Sequence, residues 1–275
     1  TGTTEIKIEI SKQDAANAVL VSSITSKYCT LINISSTSPI AYDTANNKII
    51  VCTGTKYQIF YFHNGLISPH TSVMSFPNIP ANYSLADVAY DPNENCFVVF
   101  FSRFIDNYTL YYYIVQCNPG TDTTSTVSAG DVVPISDVDN KLRGVFANAT
   151  INPATGYIYF LTSSSTADYN RIYQVRVKSD KTLEKIGTRY STNKAYSKYF
   201  CYDETAGCLV AAEGDSNNRY VYAYLVSING TSLSAGNATT IYDSGASNSI
   251  YAGRIVYNPY LKYCCIVSQG SSSTP

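Results

Sequence analysis

The sequence predicts an all-β fold made from one motif repeated five times, and three observations carry that prediction. A short phrase recurs: an aromatic or aliphatic residue, Asp or Asn, a turn, then four apolar residues that start seven positions after the first. The Asp/Asn positions follow one another at 48, 61, 51 and 55 residues, and a period of this size marks a repeat architecture. Each apolar stretch is then followed by a polar loop and a run with period-two alternation, the pattern of a strand. One sheet of about four short strands cannot bury both faces, whereas several set radially can, and that arrangement is a β-propeller.

The elements follow in chain order. Glu5-Ile6-Lys7-Ile8-Glu9-Ile10 alternates cleanly and reads as the third strand of a blade, with Ala18-Val19-Leu20-Val21 as the fourth. The segment Ser11 to Ala18 is the one helix candidate and is too short to stand. The phrase then reads Tyr42-Asp43 with Ile49-Ile50-Val51-Cys52, Tyr90-Asp91-Pro92 with Phe97-Val98-Val99-Phe100, and Ile151-Asn152-Pro153 with Ile158-Tyr159-Phe160-Leu161. It ends with Tyr202-Asp203 and Leu209-Val210-Ala211-Ala212, then Tyr257-Asn258-Pro259 and Cys264-Cys265-Ile266-Val267. The alternating runs are Tyr57 to His63, Tyr108 to Cys117, Arg171 to Lys178 and Tyr220 to Val226. Looser segments such as Thr182 to Thr188 and Ser232 to Ile241 lead into the next phrase.

The expected architecture is a single domain over residues 1–275, with four-stranded blades starting near residues 38, 86, 147, 198 and 252. The fifth unit stops after two strands, so residues 1–24 are expected to close the ring by joining the C-terminal blade, which removes exposed sheet edges. An open segment of a longer array is the competing arrangement. Thr1 is not an initiator Met, which reads as a processed or excised chain.

Charged residues make up 14% and the net charge is −1, which argues against a nucleic-acid binder, since that needs clustered Lys and Arg. With 45% hydrophobic residues a packed core is expected. The 26 Tyr fall mostly in the alternating runs and suit half-buried strands. No apolar run approaches the roughly 20 residues of a membrane helix. Cys52, Cys96, Cys208, Cys264 and Cys265 lie in or beside the apolar strands and read as buried free thiols: Cys96 and Cys208 share a repeat position two repeats apart, beyond disulfide reach when sheets pack about 10 Å apart, and the neighbours Cys264 and Cys265 point to opposite faces. No CxxC spacing supports zinc, and neither His63 nor His70 sits in a metal motif.

Asp43, Asp91 and Asp203 share their slot with Asn152 and Asn258, and Asn cannot serve as an acid or base. The slot therefore reads as turn chemistry, with the side chain bonding amides two residues on. The loops at the other end of the strands carry Asp106, Asn107, Tyr108, Asp168, Asn170, Arg171, Asp215, Asn218, Arg219 and Tyr220. Amides and carboxylates there offer hydrogen bonds to sugar hydroxyls and Tyr faces offer stacking. Ordinary loop chemistry before a strand-opening Tyr gives the same composition.

Val88-Ala89-Tyr90-Asp91-Pro92 and Ile228-Asn229-Gly230-Thr231-Ser232-Leu233-Ser234-Ala235-Gly236, with Tyr242-Asp243-Ser244-Gly245 and Val256-Tyr257-Asn258-Pro259, resemble a repeat of marine bacteriophage and cyanophage tail-associated proteins. The likeness extends loosely over residues 40 to 268, and the units at Ile151 and Tyr42 depart from it. It implies a non-enzymatic virion protein of the tail, a fibre or a structural component, in the virion or outside the cell. The partners it implies are other tail proteins and a host surface polysaccharide, with oligomerisation and no cofactor. The chain has no Trp, no Gly-x-Ser-x-Gly elbow and no carboxylate pair selected by spacing. A cellular lectin and a glycoside hydrolase are the alternatives.

Overall fold

The computed structural model describes residues 31–34, 38–63, 66–103, 110–117, 124–132, 145–163, 170–186, 190–192, 198–214, 220–230, 232–243, 249–258 and 260–271. Among them every regular element is a strand, and all pairings are antiparallel. No helix of the described residues is long and apolar enough to cross a membrane. The expected closing strands at 5–10 and 18–21 lie outside the described residues.

Five sheets follow one another along the chain. The first holds β1 (Ile40–Asp43), β2 (Lys48–Thr53), β3 (Lys56–His63), β4 (Leu66–Pro69) and β5 (Met74–Ser75). The second holds β6 (Tyr83–Asp91), β7 (Cys96–Arg103), β8 (Leu110–Cys117) and β9 (Thr124–Val132). The third holds β10 (Val145–Asn152), β11 (Tyr157–Ser163), β12 (Asn170–Val177), β13 (Leu183–Lys185) and β14 (Tyr190–Thr192). The fourth holds β15 (Lys198–Asp203), β16 (Cys208–Gly214), β17 (Tyr220–Asn229), β18 (Ser232–Ala235) and β19 (Thr239–Asp243). The fifth pairs β20 (Ser249–Asn258) with β21 (Tyr263–Ser271).

In three sheets the looser segment gives two strands where one was expected. Both pieces pair with the same third strand: β4 and β5 with β3, β13 and β14 with β12, β18 and β19 with β17. The segment leaves the ladder where its backbone turns, after Pro69 in the first sheet, and rejoins at the other end of the third strand.

The constant seven-residue offset is a hairpin register. Tyr42 pairs with Ile49, Tyr90 with Phe97, Ile151 with Ile158, Tyr202 with Leu209 and Tyr257 with Cys264. Each hairpin is closed by the Asp or Asn that follows. Asp43 Oδ1 accepts from the amides of Ala45 and Asn46, both at 2.9 Å, and Asp203 Oδ1 does the same for Thr205 and Ala206. Asn258 Oδ1 accepts from Tyr260 and Leu261 at 3.0 Å, and Asn152 Oδ1 from Ala154 at 3.0 Å. The last loop position has positive φ in every unit: Asn47, Asn95, Gly156, Gly207 and Lys262.

Side-chain alternation explains why the second strands are apolar throughout. Cys96, Val98 and Phe100 face Ile158, Phe160, Tyr173 and Val175 of the third sheet. Phe97, Val99 and Phe101 point the other way, toward Ile50, Cys52, Tyr57 and Ile59 of the first. Tyr159, Leu161 and Ile172 then meet Phe200, Leu209, Ala211 and Tyr224 of the fourth. A strand buried on both faces reads as a continuous apolar run, and each large side chain so buried contributes roughly 1.5–3 kcal/mol.

Candidate functional site

The first strands β1, β6, β10, β15 and β20 pack each against the next. Each lies at the edge of its own sheet, so backbone groups on its free side need partners. Side chains of the neighbouring first strand supply several. Asp87 Oδ2 accepts the Ala149 amide at 2.8 Å, Asn148 Nδ2 donates to the Phe200 carbonyl at 2.8 Å, and Thr150 Oγ1 accepts the Tyr202 amide at 3.1 Å. A bulge precedes Asp87 and Asn148 alike, between Leu85 and Asp87 and between Phe146 and Asn148. The extra residue re-aims the next side chain along the sheet, here toward the neighbouring sheet.

The tight turns sit on one face and interlock. Asn46 Nδ2 donates to Asn95 Oδ1 at 3.0 Å between the first two sheets. The hydroxyls of Thr205 and Tyr257 lie 2.6 Å apart between the fourth and fifth. Between the second and third, Lys181 Nζ reaches Glu94 Oε2 at 2.6 Å and the Glu94 carbonyl at 2.8 Å. Lys181 holds a φ of 62°, which turns its side chain back across that boundary. Gly156 approaches the neighbouring turn so closely that a Cβ there would lie 2.8 Å from Asn93 Nδ2 and 3.3 Å from Asp91 Oδ1.

This boundary opens into a cleft of about 410 Å³ lined by Asp91, Asn93, Glu94, Gly156, Arg176 and Glu184, among others. Arg176 Nε and Glu184 Oε2 pair at 2.6 Å on its rim, both side chains partly exposed. Asp91 forms the floor at 1% exposure. Desolvation pushes its carboxyl above the ordinary carboxylate value, against the hydrogen bonds from the Asn93 and Glu94 amides. The site thus sets a desolvated carboxyl beside an ion-paired one, with cations at the mouth.

Of the residues proposed from sequence, Asp106, Asn107, Tyr108, Asp168, Asp215, Asn218 and Arg219 lie outside the described residues. Asn170 and Arg171 open β12, where their backbones pair with Thr192 and Ser191. Tyr220 opens β17 opposite Asp243, its ring 5.9 Å from that of Tyr222. These three begin third strands, at the sheet end away from the tight turns, and none lines the cleft. Glu94, Lys181, Arg176 and Glu184 were missed. Lys181 and Glu94 stand 87 residues apart, so no local spacing joins them.

Cys52, Cys96, Cys201 and Cys208 are buried free thiols, whereas Cys264 and Cys265, expected to be buried, are half-buried free thiols on an incomplete two-stranded sheet. Burial raises the Cys96 thiol to about 12. Among the described residues no cluster of His, Cys, Asp and Glu is arranged to hold a metal ion.

No family model matches the chain, and no curated protein is significantly similar to it. Its fold is similar to that of a periplasmic gluconolactonase from Pseudomonas aeruginosa, with a TM-score of 0.56 and 10% identity, covering 88% of this chain and 67% of that one. A Lactobacillus plantarum protein matches with a TM-score of 0.53 and 7% identity over 84% of this chain and 63% of its own. A putative 6-phosphogluconolactonase from Bacteroides uniformis matches at 0.50 and 13%, over 75% and 55%. The chain thus spans between about half and two thirds of these proteins' lengths. Together with the repeated antiparallel sheets, the likeness places the fold among propeller-like all-β proteins.

Two expectations are corrected here. Two of these similar structures carry lactonase names, one of them putative, and nothing among them supports a phage tail protein. The repeat phrase that suggested one encodes a hairpin and its turn. The expectation of a non-enzyme also falls. It rested on missing linear motifs, whereas two of the similar structures carry enzyme names.

Proposed function

We propose that the chain is a hydrolytic enzyme on a five-bladed ring, and that it opens a sugar-derived lactone in the cleft between the second and third sheets. The observation that carries this reading is Asp91, a desolvated carboxyl at the floor of a cleft with cations at its mouth. A carboxyl whose pKa is shifted by burial and that lines a cleft marks a candidate functional site. The gluconolactonase names of two similar structures support the substrate class. In the proposed step Asp91 takes a proton from water, and the resulting hydroxide attacks the ring carbonyl carbon. The ring C–O bond then breaks, and the proton on Asp91 passes to the leaving alkoxide, giving a hydroxy acid. Arg176 supplies positive charge for the developing oxyanion.

Ring closure belongs to the same proposal. The fifth sheet has two described strands where the others have four or five, and segments 5–10 and 18–21 have the alternation to complete it. The phenols of Tyr42 and Tyr260, in the first and fifth sheets, are near enough to influence each other electrostatically, which supports a ring.

The test is proton release from a glucono-type lactone, followed for the wild type, Asp91→Asn and Asp203→Asn. Asn fills this turn slot at positions 152 and 258, so the substitution keeps the turn and removes only the acid–base group. Asp91→Asn should lose about 10²–10⁴-fold in turnover, with Asp203→Asn unchanged. Wild-type turnover no faster than spontaneous hydrolysis, or an active Asp91→Asn, would refute the proposal.

A further inference from the structure

The sulfurs of Cys201 and Cys264 lie 3.1 Å apart across the boundary between the fourth and fifth sheets. Cys201 is on β15 and Cys264 on β21, so the pair joins a first strand to a second strand of the next unit. General sheet spacing argues against such an approach, but first strands pack each against the next, and here the sheets converge. A disulfide needs the sulfurs at about 2.05 Å, roughly 1 Å closer than they stand. Cys201 is buried and Cys264 half-buried, so an oxidant reaches the second before the first. Cys208, Asp203 and Cys265 are the other titratable groups that face the pair. The same boundary is otherwise bridged by the Thr205–Tyr257 hydroxyl contact and by Ile266 packed on Ala212 and Val221.

We propose that Cys201 and Cys264 are a redox modification site, a thiol pair that peroxide converts into a covalent strap between the fourth and fifth sheets. Hydrogen peroxide oxidises the Cys264 thiol to a sulfenic acid, with one water leaving. The Cys201 sulfur then attacks that sulfur, its S–H proton leaves with the hydroxyl as a second water, and the S–S bond forms. A dithiol reductant reverses the change by exchange. Desolvation holds both thiols above the ordinary cysteine range, so the reactive thiolate is scarce and the reaction with peroxide is slow.

The test is peroxide treatment of the full chain, then peptide mapping by mass spectrometry without reductant and thermal melting. The expected result is one cross-linked peptide joining residues 201 and 264 and a rise in Tm of roughly 7 °C, reversed by dithiothreitol. The rise should persist in Cys208→Ser and vanish in Cys264→Ser. A Cys264–Cys265 or Cys264–Cys208 link in the wild type would overturn the proposal. So would Cys264 oxidised past the sulfenic acid with no cross-link, a readout that needs no variant to fold.

Discussion

The Asp87 carboxylate accepts the Ala149 backbone N–H at 2.8 Å, across the boundary between the second and third sheets. Asp87 is 4% exposed and Ala149 partly buried. Replacing Asp87 with Ala leaves a part-buried amide without this acceptor. The expected loss is about 1–3 kcal/mol, read as a lower urea midpoint with an unchanged m-value.

The turn slot should accept Asn and reject Ala. Asp203→Asn is expected to change stability by less than about 0.5 kcal/mol, because Asn keeps the acceptor for Thr205 and Ala206. Asp203→Ala removes both bonds and should cost about 1 kcal/mol. Paired thermal melts of the two variants separate these outcomes.

Two equivalent glycines should differ. Gly207 has a φ of 64° and open space around a would-be Cβ, and Asn already holds this position in the first two units. Gly207→Asn should therefore be close to neutral. Gly156→Asn meets Asn93 and Asp91 of the next turn and should cost at least about 1 kcal/mol more. A melt of each variant reads the difference.

Two buried glutamines should respond with opposite signs to Met. Gln58 accepts from the Ile32 amide at 2.9 Å and donates to the Thr71 carbonyl at 3.0 Å. Gln174 is fully buried and, among the described residues, neither its amide nor the hydroxyl of Tyr159 on the adjacent strand finds a hydrogen-bond partner. Gln58→Met is expected to destabilise by about 1–3 kcal/mol, and Gln174→Met to stabilise or be neutral. Equilibrium unfolding of both tests the contrast.

Asp91 should leave a signature in pH. Its folded pKa is raised by desolvation above the ordinary 3.8, so the folded state holds that proton more tightly than the unfolded one. The stability this contributes is full below the ordinary value and lost as pH rises through the raised one. The Tm of the wild type minus that of Asp91→Asn should fall as pH rises from below the ordinary 3.8 through the raised folded value. A difference independent of pH would show that the carboxyl titrates normally.

The sheets were legible because their determinants are local. The offset from Tyr90 to Phe97 is a cross-strand pair, and the Asp or Asn after it caps its own turn. The split fourth strands were not legible, since β18 and β19 gain their identity only by pairing with opposite ends of β17. The cleft was hidden for a related reason. Asp91 sits in the same slot as Asp203, and only the docking of Gly156 and Lys181 from the third sheet makes its surroundings different. Arg176 and Glu184 face each other through the β12–β13 register, which the loose composition of that segment did not announce.

The hairpin register has a kinetic consequence. Every first-to-second strand pairing joins residues close in sequence, closed by a four-residue loop with its own side-chain cap. Closing so short a loop costs little chain entropy, so these hairpins can form before any contact between sheets. The slower events are the returns of the third and fourth strands and the docking of one unit on the next. Assembly should then run as a succession of local nuclei that zip outward and join side by side. A substitution in a tight turn would slow folding, while one at a sheet boundary such as Asp87 would chiefly hasten unfolding.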